Sequence, residues 1–219
     1  FDISSADTGE ATVSPATLTF TTANWSNAQT IAVTGVDDDV DDGDESTTVT
    51  IAVDADSSDD TYDPLADQTV TVTTVDDDTS GYTLSAATAT VAEAGSTDSF
   101  TVVLDSEPTA DVVFDISSAD TGEATVSPST LTFTTANWDD AQTIVVAGVD
   151  DDGDDDDQDT TVTLSVNAAA TSDSLYDALA DQTVTATTTD DDETGYTHEV
   201  TALIVDETGS TDSFTVVLD

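Results

Sequence analysis

Short runs of aspartate interrupt this sequence, and they are the residues whose type and spacing could do chemistry. The runs lie at 36–39, 41–45, 75–78, 149–157 and 189–192. Carboxylates ~4 Å apart repel each other by about 1 kcal/mol per pair even in bulk water. The 219 residues include 49 Asp and Glu but no Lys or Arg. Side-chain cations therefore cannot neutralise the runs, and the balancing charge must come from solvent.

The donor atoms available in these runs indicate which ion would bind. Carboxylate oxygens without imidazole or thiolate partners select a hard divalent cation. Ca²⁺ accepts about six to eight oxygen ligands in flexible geometry, whereas Mg²⁺ keeps its water and takes fewer carboxylates. The chain has no Cys, which excludes disulfides, zinc–thiolate sites and cysteine nucleophiles. We therefore predict Ca²⁺ as the bound ion.

Composition excludes several classes of partner and activity. With a formal net charge of -49, the chain offers no cation to a phosphate, which excludes nucleic acid and anionic membrane surfaces. Direct membrane insertion is not expected, because no apolar run approaches a membrane span. A Ser–His–Asp triad would have only His198 available, and Leu84 occupies the corresponding place in the repeat described next. We predict that the protein is not an enzyme.

A long internal repeat organises the chain. Residues 1–39 and 114–152 differ at only five positions, an offset of 113 that becomes 114 after an insertion before Tyr176. A repeat of about 114 residues has the size of a small domain. We predict the C-terminal part of one repeat at 1–78, a complete repeat at 79–192 and the N-terminal part of a following repeat at 193–219. Neighbouring sequence, in the same chain or in another subunit, is expected to complete both partial repeats.

Alternating apolar residues and threonines predict the elements that position the acidic runs. In the complete repeat we expect nine strands, near 81–85, 88–92, 98–104, 110–116, 123–126, 130–135, 141–148, 160–166 and 182–188. Short strands separated by turn residues are typical of an immunoglobulin-like, antiparallel β-sandwich. Because loops gather at the two ends of a sandwich, the runs at 150–152 and 190–192 are expected to share one end. Glu93 reaches that end if the first strand lies beside the last.

Two motifs resemble known families. The stretch 81–104, with Val91-Ala-Glu-Ala-Gly95 between two alternating segments, resembles the start of a Calx-beta repeat, the Ca²⁺-binding β-sandwich of sodium–calcium exchangers. The stretch 131–152 resembles extracellular repeats of large bacterial adhesins, which commonly read LTFTPxNWxxxQTVxVxGVDDD. Together the two motifs lie in register along nearly all of the complete repeat.

The Calx-beta resemblance implies a set of Ca²⁺ ligands in each repeat. In the complete repeat they are Glu93, Asp150, Asp151, Asp152, Asp190, Asp191 and Asp192. In the preceding partial repeat they are Asp37, Asp38, Asp39, Asp76, Asp77 and Asp78, and in the following one only Glu207 is present. The family also draws a ligand from one more loop, for which the candidates are Asp111, Asp115 and Asp120.

These features predict a structural repeat of a secreted or cell-surface protein. Ca²⁺ at the acidic tips and junctions would stiffen the array, which would form an adhesin shaft or an extracellular filament, such as a biofilm matrix. The expected partners are neighbouring copies of the same repeat, joined in tandem or as a polymer, and cell-surface or matrix glycans. One alternative is a Ca²⁺-responsive binding module that switches a partner interaction. Another is a glycan-binding array.

Simpler interpretations stand beside these hypotheses. An acidic run is often only a solvated loop, and the long stretches 41–45 and 153–157 exceed what one ion needs. Adaptation to high salt explains the absence of Lys and Arg, but it does not explain why the acids cluster at strand ends. Trp25 and Trp138 could form a sugar platform, although a lone large aromatic in a β-domain usually packs against the core.

Overall fold

The computed structural model describes residues 1–218, and the chain divides into two compact units. Unit 1 comprises Phe1–Ser80 with Asp105–Glu107, and unit 2 comprises Gly81–Leu104 with Pro108–Asp219. Asp219, the last residue of the predicted partial repeat 193–219, lies outside the described residues. The three-part division at 78 and 192 stays a prediction from the repeat.

The fold is all-β, as the alternation predicted. Strands β1 to β16 are Asp2–Ser5, Ala11–Ser14, Ala32–Gly35, Glu45–Ala52, Gln68–Thr74, Tyr82–Leu84, Thr88–Ala92, Thr97–Leu104, Val112–Ser118, Ala124–Ser127, Thr130–Phe133, Gln142–Gly148, Gln158–Val166, Gln182–Thr189, Tyr196–His198 and Val216–Leu218. One 3-10 turn covers Tyr176–Ala178. Within residues 1–218, no helix has the length and apolar character that crossing a membrane requires.

Unit 2 is a sandwich of two sheets. One sheet has the order β10-β12-β8-β6 and the other has the order β11-β9-β13-β14-β7. The two-residue period of a strand sends alternate side chains to opposite faces, so each sheet turns most of its apolar residues inward and most of its threonines outward, with Thr160 and Thr188 buried as exceptions. All nine strands predicted for the complete repeat, 81–188, are present in the structure.

The inward faces of both sheets form one core. Phe100, Ile144 and Val146 are contributed by the four-stranded sheet, and Phe114 and Leu164 by the five-stranded one; all are fully or almost fully buried. Each such side chain stabilises the fold by about 1.5–3 kcal/mol relative to an exposed position. Tyr82 and Phe133 pack edge-to-face on Phe114, with ring centroids 4.8 and 6.0 Å apart.

The strand that carries Glu93 pairs differently from the others. β7 lies beside β14 and runs parallel to it, with Thr88 opposite Thr185 and Ala92 opposite Thr189. The other strand pairs in the described residues are antiparallel. The expectation for Glu93 was conditional on the first strand of the unit lying beside the last, and in the structure it is the second strand, β7, that does so. Parallel pairing makes both strands end at the same edge, which brings Glu93 to the residues that follow β14.

Unit 1 has counterparts of five strands of the later part of unit 2, and at the counterpart of β11 it has only an isolated bridge between Asp2 and Thr17. Its sheets have the orders β1-β4-β5 and β2-β3, which correspond to β9-β13-β14 and β10-β12. Ile3 and Val49 are buried as their counterparts Ile116 and Val162 are. Here and below, a counterpart is the residue at the same place in the repeat, 113 or 114 positions away.

Residues 193–218 contain two short strands, β15 and β16. β15 and β16 pair antiparallel, with Tyr196 opposite Leu218 and His198 opposite Val216. His198 lies on β15 with its side chain exposed.

Gly148 provides a first test of how β12 packs against the turn after β7. A Cβ on Gly148 would overlap the backbone carbonyl of Ala92, which cannot move aside as a flexible side chain can. Gly148→Ala is therefore expected to destabilise unit 2 by about 1–3 kcal/mol, the usual cost of overpacking. Urea unfolding of the metal-free chain in dilute solution measures this difference.

Gly35→Ala is the matched control, since Gly35 is the counterpart of Gly148. There the added Cβ would meet only Cγ2 of Thr74, at an ordinary 3.6 Å. The control is expected to unfold like the parent chain. Equal denaturation midpoints for the two variants would contradict the packing described for Gly148.

Candidate metal site

Glu93 is a buried carboxylate in the turn that follows β7. Its backbone N–H donates to the carbonyl of Thr189 at 3.2 Å, which fixes the turn against the end of β14. The side chain is 1% exposed, and its Oε2 atom has no hydrogen-bond partner among the described residues. An ionised carboxylate left unpaired in a protein interior is costly unless a cation or a proton compensates it.

Asp190 and Asp192, which follow β14, converge on Glu93. One carboxylate oxygen from each of the three residues lies within 4.8 Å of the others. Asp190 is held in place by backbone N–H groups: its carboxylate accepts from Asp192 at 2.8 Å, from Asp156 at 2.9 Å and from Asp155 at 3.1 Å. These bonds join the acidic triplet after β14 to the acidic loop between β12 and β13.

The charges around this group act on one another. Burial raises the pKa of Glu93 above its ordinary value of 4.5, and the negative charges of Asp190, Asp151 and Asp155 raise it further. Burial also raises the pKa of Asp192, and the negative charges of Asp190 and Asp191 raise it further. Raised pKa values mean that the ionised carboxylates destabilise one another in the metal-free protein.

Glu123 belongs to the same site, although the sequence did not single it out. It lies in the turn between β9 and β10, and its carbonyl accepts from Val149 at 2.9 Å and from the Thr188 hydroxyl at 3.2 Å. Its Oε2 is buried and has no hydrogen-bond partner in the described part of the chain. Burial raises its pKa, as do the charges of Asp155 and Asp120. We call Glu93, Glu123, Asp151, Asp155, Asp190 and Asp192 the unit 2 acidic site.

Unit 1 repeats most of this arrangement. Carboxylate oxygens of Glu10, Asp38 and Asp42 lie within 4.8 Å of one another. The carbonyl of Glu10 accepts from Val36 at 2.8 Å and from the Thr74 hydroxyl at 3.0 Å, as the carbonyl of its counterpart Glu123 does in unit 2. Burial raises the pKa of Glu10, and Asp42 and Asp38 add to the shift.

The structure sorts the sequence-predicted ligands into two groups. Those at or beside the acidic sites are Glu93, Asp151, Asp190 and Asp192 in unit 2, and Asp37, Asp38, Asp76, Asp77 and Asp78 in unit 1. Those with exposed side chains outside the converging groups are Asp39, Asp150, Asp152, Asp191 and Glu207. Asp150, Asp152 and Asp191 still act electrostatically, because their charges raise the pKa of Asp192.

The three candidates for a further ligand lie outside the converging group in unit 2. Asp115 accepts a hydrogen bond from Nδ2 of Asn167 at 2.9 Å, and Asp120 accepts one from the backbone of Gly122 at 2.9 Å. Ser172 donates to the backbone carbonyl of Asp111. Glu123, which was not among these candidates, adds a negative charge that raises the pKa of Glu93. The sequence does contain a signal that could have identified Glu123. The motif Thr-Gly-Glu-Ala-Thr-Val occurs in both units, with Glu10 and Glu123 at the same place in it.

The tryptophans differ between the units. Trp138 is partly buried and packs against the core of unit 2, as expected of a core residue, whereas Trp25 is largely exposed. Glycan binding stays a prediction.

The donor set of the unit 2 acidic site fits Ca²⁺. Its six side chains supply only carboxylate oxygens, several of them on loops that can adjust to a large ion. Two of those oxygens, on Glu93 and Glu123, are buried without hydrogen-bond partners among residues 1–218. A cation bound by Glu93, Asp190 and Asp192 would satisfy the Glu93 oxygen and offset the negative charges that, together with burial, raise the pKa of Glu93.

The raised pKa values predict how the metal-free chain responds to pH. A carboxyl group whose folded pKa exceeds its unfolded value binds protons more tightly in the folded state. Its stabilising contribution is full below about pH 4.5 and is lost as pH rises through the folded pKa. In EDTA, the free energy of unfolding is therefore expected to fall as pH rises above about 4.5.

Urea unfolding at a series of pH values measures this slope. Glu93→Gln with Glu123→Gln is expected to reduce the slope, because two of the carboxyl groups with raised pKa values are removed while Asp192 and Glu10 remain. A stability in EDTA that rises over the same interval would contradict the electrostatic account.

Comparison with known proteins gives no family assignment. No protein-family model matches the chain, and no curated protein matches it. The S-layer protein rSbsC(31-844) is similar in structure, with 16% identity and a TM-score of 0.42 over 90% of this chain and 21% of that chain. The Calx-beta resemblance therefore rests on its motifs alone.

Two further solved structures show similar arrangements of strands. The E. coli chaperone DraB has 9% identity and a TM-score of 0.39, over 54% of this chain and 59% of that chain. SSP-19, an MSP-domain protein of Caenorhabditis elegans, has 18% identity and a TM-score of 0.34, over 49% of this chain and 99% of that chain. The chain thus spans less than two thirds of DraB and of rSbsC. At these TM-scores the likenesses supply no argument about function.

Proposed function

We propose that this chain is a structural repeat segment of an extracellular protein and that Ca²⁺ bound at its acidic sites stiffens it. One observation carries the proposal: the buried Glu93 carboxylate, with one oxygen unpartnered, converges with Asp190 and Asp192. A solvated acidic loop would instead spread its carboxylates into water. Burying charge of one sign is costly unless a cation or a proton compensates it, and the chain has no Lys or Arg to provide the cation.

The acidic site is repeated in both units, which supports a structural role of the site over a role as one dedicated binding site. Glu10, Asp38, Asp42, Asp76 and Asp78 in unit 1 are the counterparts of Glu123, Asp151, Asp155, Asp190 and Asp192. A tandem array would therefore carry an ion site in each repeat. In the sequence, the triplets that end at Asp78 and Asp192 come just before the next repeat. Ions held there would limit the freedom of neighbouring repeats, as an adhesin shaft or an extracellular filament requires.

The hydrogen bonds within the loops favour a resident ion over a switch. Asp190 already joins the two acidic loops through backbone N–H donors, and Asp154 does the same by accepting from the N–H and the hydroxyl of Thr194 at 2.8 and 2.7 Å. Loops organised in this way need little rearrangement to receive an ion. Extracellular Ca²⁺ is available at about millimolar concentration, where modular sites of moderate affinity fill.

Calorimetric titration of the metal-free chain tests the proposal. Ca²⁺ is expected to bind at least about tenfold more tightly than Mg²⁺, because Mg²⁺ gives up its water reluctantly for a site of many carboxylates. Asp190→Asn is expected to abolish binding in unit 2, whereas Asp181→Asn, remote from the site in sequence, leaves it unchanged. Equal weak binding of both ions, insensitive to Asp190→Asn, would show that the runs are only solvated acidic loops.

A further inference from the structure

One aspartate of the acidic loop between β12 and β13 is bonded to the segment that follows the acidic triplet. Oδ2 of Asp154 accepts hydrogen bonds from the backbone N–H of Thr194 at 2.8 Å and from its hydroxyl at 2.7 Å. Thr194 stands two residues after Asp192 and two residues before β15. Asp154 therefore contacts a segment that lies outside the group of converging carboxylates.

The same contact occurs in unit 1. Oδ2 of Asp41, the counterpart of Asp154, accepts from the backbone N–H of Ser80 at 2.6 Å. Ser80 is the counterpart of Thr194, and the next residue along the chain begins unit 2. The two donors differ in residue type, so the bond that both units share is the one from the backbone N–H to the aspartate.

The residue next to Asp154 takes part in the acidic site. The backbone N–H of Asp155 donates to Oδ2 of Asp190 at 3.1 Å, and the charge of Asp155 raises the pKa of Glu93. In unit 1, Asp42 is the counterpart of Asp155 and belongs to the converging group of carboxylates. Consecutive residues of one short loop are thus bonded to the acidic site and to the segment that follows the triplet.

Both contacts of this loop are weak in the metal-free chain. Residues 151–157 are exposed, and an exposed hydrogen bond competes with water. The negative charges of the loop also repel those of the triplet after β14. Ca²⁺ bound among these carboxylates would remove the repulsion and fix the loop. Asp154 would then keep its place beside Thr194.

We propose that Asp154 and Asp41 are positioning residues, not ion ligands, and that each couples ion binding at its acidic site to the order of the segment that follows. This inference rests on the proposed function, because it takes Ca²⁺ to be the bound ion. The ion fixes the loop, and the loop fixes the aspartate that accepts from Thr194 or Ser80. After Ser80 the chain continues into β6, so this contact is the point at which an ion would limit the freedom of the connecting segment.

Solvent exchange of backbone amide protons, measured by NMR on the full chain, tests the coupling. Ca²⁺ is expected to slow exchange of the Thr194 and Ser80 amides by about tenfold or more, the order that one charge-assisted hydrogen bond supplies. Asp154→Ala removes the acceptor at Thr194 and is expected to abolish the slowing there. The Ser80 amide of the same molecule is the internal control, because its acceptor Asp41 is intact.

Asp154→Asn separates positioning from ion binding. Its amide oxygen still accepts both hydrogen bonds but carries no charge, so this variant is expected to keep most of the slowing at Thr194. Both Asp154 variants are expected to bind Ca²⁺ within about threefold of the parent chain at about 0.15 M salt, because a charge outside the ligand group acts only through a screened field. A loss of affinity in Asp154→Asn as large as that in Asp190→Asn would make Asp154 an ion ligand and overturn the proposal.

Proteolysis gives a second measurement at the same segment. A protease that cleaves after glutamate can cut between Glu193 and Thr194, and this cut requires the segment to open. Ca²⁺ is expected to slow the cut in the parent chain and in Asp154→Asn but not in Asp154→Ala. Cleavage after Glu199, beyond β15, corrects for any effect of Ca²⁺ on the protease. Equal slowing in all three proteins would overturn the role of Asp154.

The two proposals fail in different ways. If calorimetry shows Ca²⁺ binding while the Thr194 amide exchanges at the same rate in Ca²⁺ and in EDTA, the coupling is wrong and the Ca²⁺ function stands. If Ca²⁺ slows this amide equally in the parent chain and in Asp154→Ala, other contacts hold the segment and Asp154 has no positioning role. If calorimetry shows no Ca²⁺ binding, the proposed function is wrong and the coupling is wrong with it.

Discussion

Chelation with EDTA is expected to lower the unfolding temperature of this protein by about 10–20 °C. An ion that binds only the folded state stabilises it by RT ln(1 + [L]/Kd), which is about 2.7 kcal/mol when the free ion is at 100 times its Kd. For a domain of this size, each kcal/mol shifts the midpoint by about 4–8 °C. Repulsion among the carboxylates around Glu93 and Glu123 acts in the same direction once the ion leaves.

Thermal unfolding followed by circular dichroism measures this shift, and the control is salt. If the acidic surface reflects only adaptation to salt, 1 M NaCl restores stability in EDTA, because it shortens the screening length to ~3 Å. A buried carboxylate such as Glu93 is screened far less than an exposed one, so NaCl is expected to restore only part of the loss. Identical unfolding curves in Ca²⁺ and in EDTA would contradict the proposed role of the ion.

The strands of this fold could be predicted from sequence because their signal is local. Alternation of apolar residues with threonine marks both faces of a strand, as in β13, where Val162 and Leu164 are buried and Thr161 is exposed. The meeting of the acidic loop after β12 with the triplet after β14 also followed from counting antiparallel strands. Both inferences need only the order of the strands along the chain.

Two features of the site could not be predicted in this way. The parallel pairing of β7 with β14 joins residues about a hundred positions apart, and strand alternation contains no signal for the choice of partner. Glu123 stands in a turn that looks solvent-exposed in the sequence. It is drawn into the site because Val149 and Thr188 hold its carbonyl. Both features depend on long-range contacts that exist only in the folded domain.

Nearly identical sequence also acquires different burial in the two units. Phe20 and Phe133 occupy the same place in the same motif, yet the first is exposed and the second is fully buried.

Glu93→Gln is expected to change the stability of the protein in opposite directions with and without Ca²⁺. In EDTA at pH 7 the variant removes a buried negative charge whose pKa is raised by burial and by Asp190, so the unfolding midpoint is expected to rise. In Ca²⁺ the same variant loses a charged ligand. Ion affinity is expected to drop by more than about 100-fold, since even groups that only orient metal ligands contribute ~10–100-fold. The midpoint in Ca²⁺ therefore falls below that of the parent chain.

Glu193→Gln is the matched control, because it removes the same charge from an exposed side chain next to the acidic triplet. It is expected to move both midpoints by little, as surface substitutions usually do. Urea denaturation of the parent chain, Glu93→Gln and Glu193→Gln is measured in Ca²⁺ and in EDTA. The difference between each variant and the parent chain is then known in both conditions. A shift of the same sign in both conditions for Glu93→Gln would mean that Glu93 acts through packing alone. Opposite signs arise only if the buried carboxylate repels its neighbours without an ion and binds one when it is present.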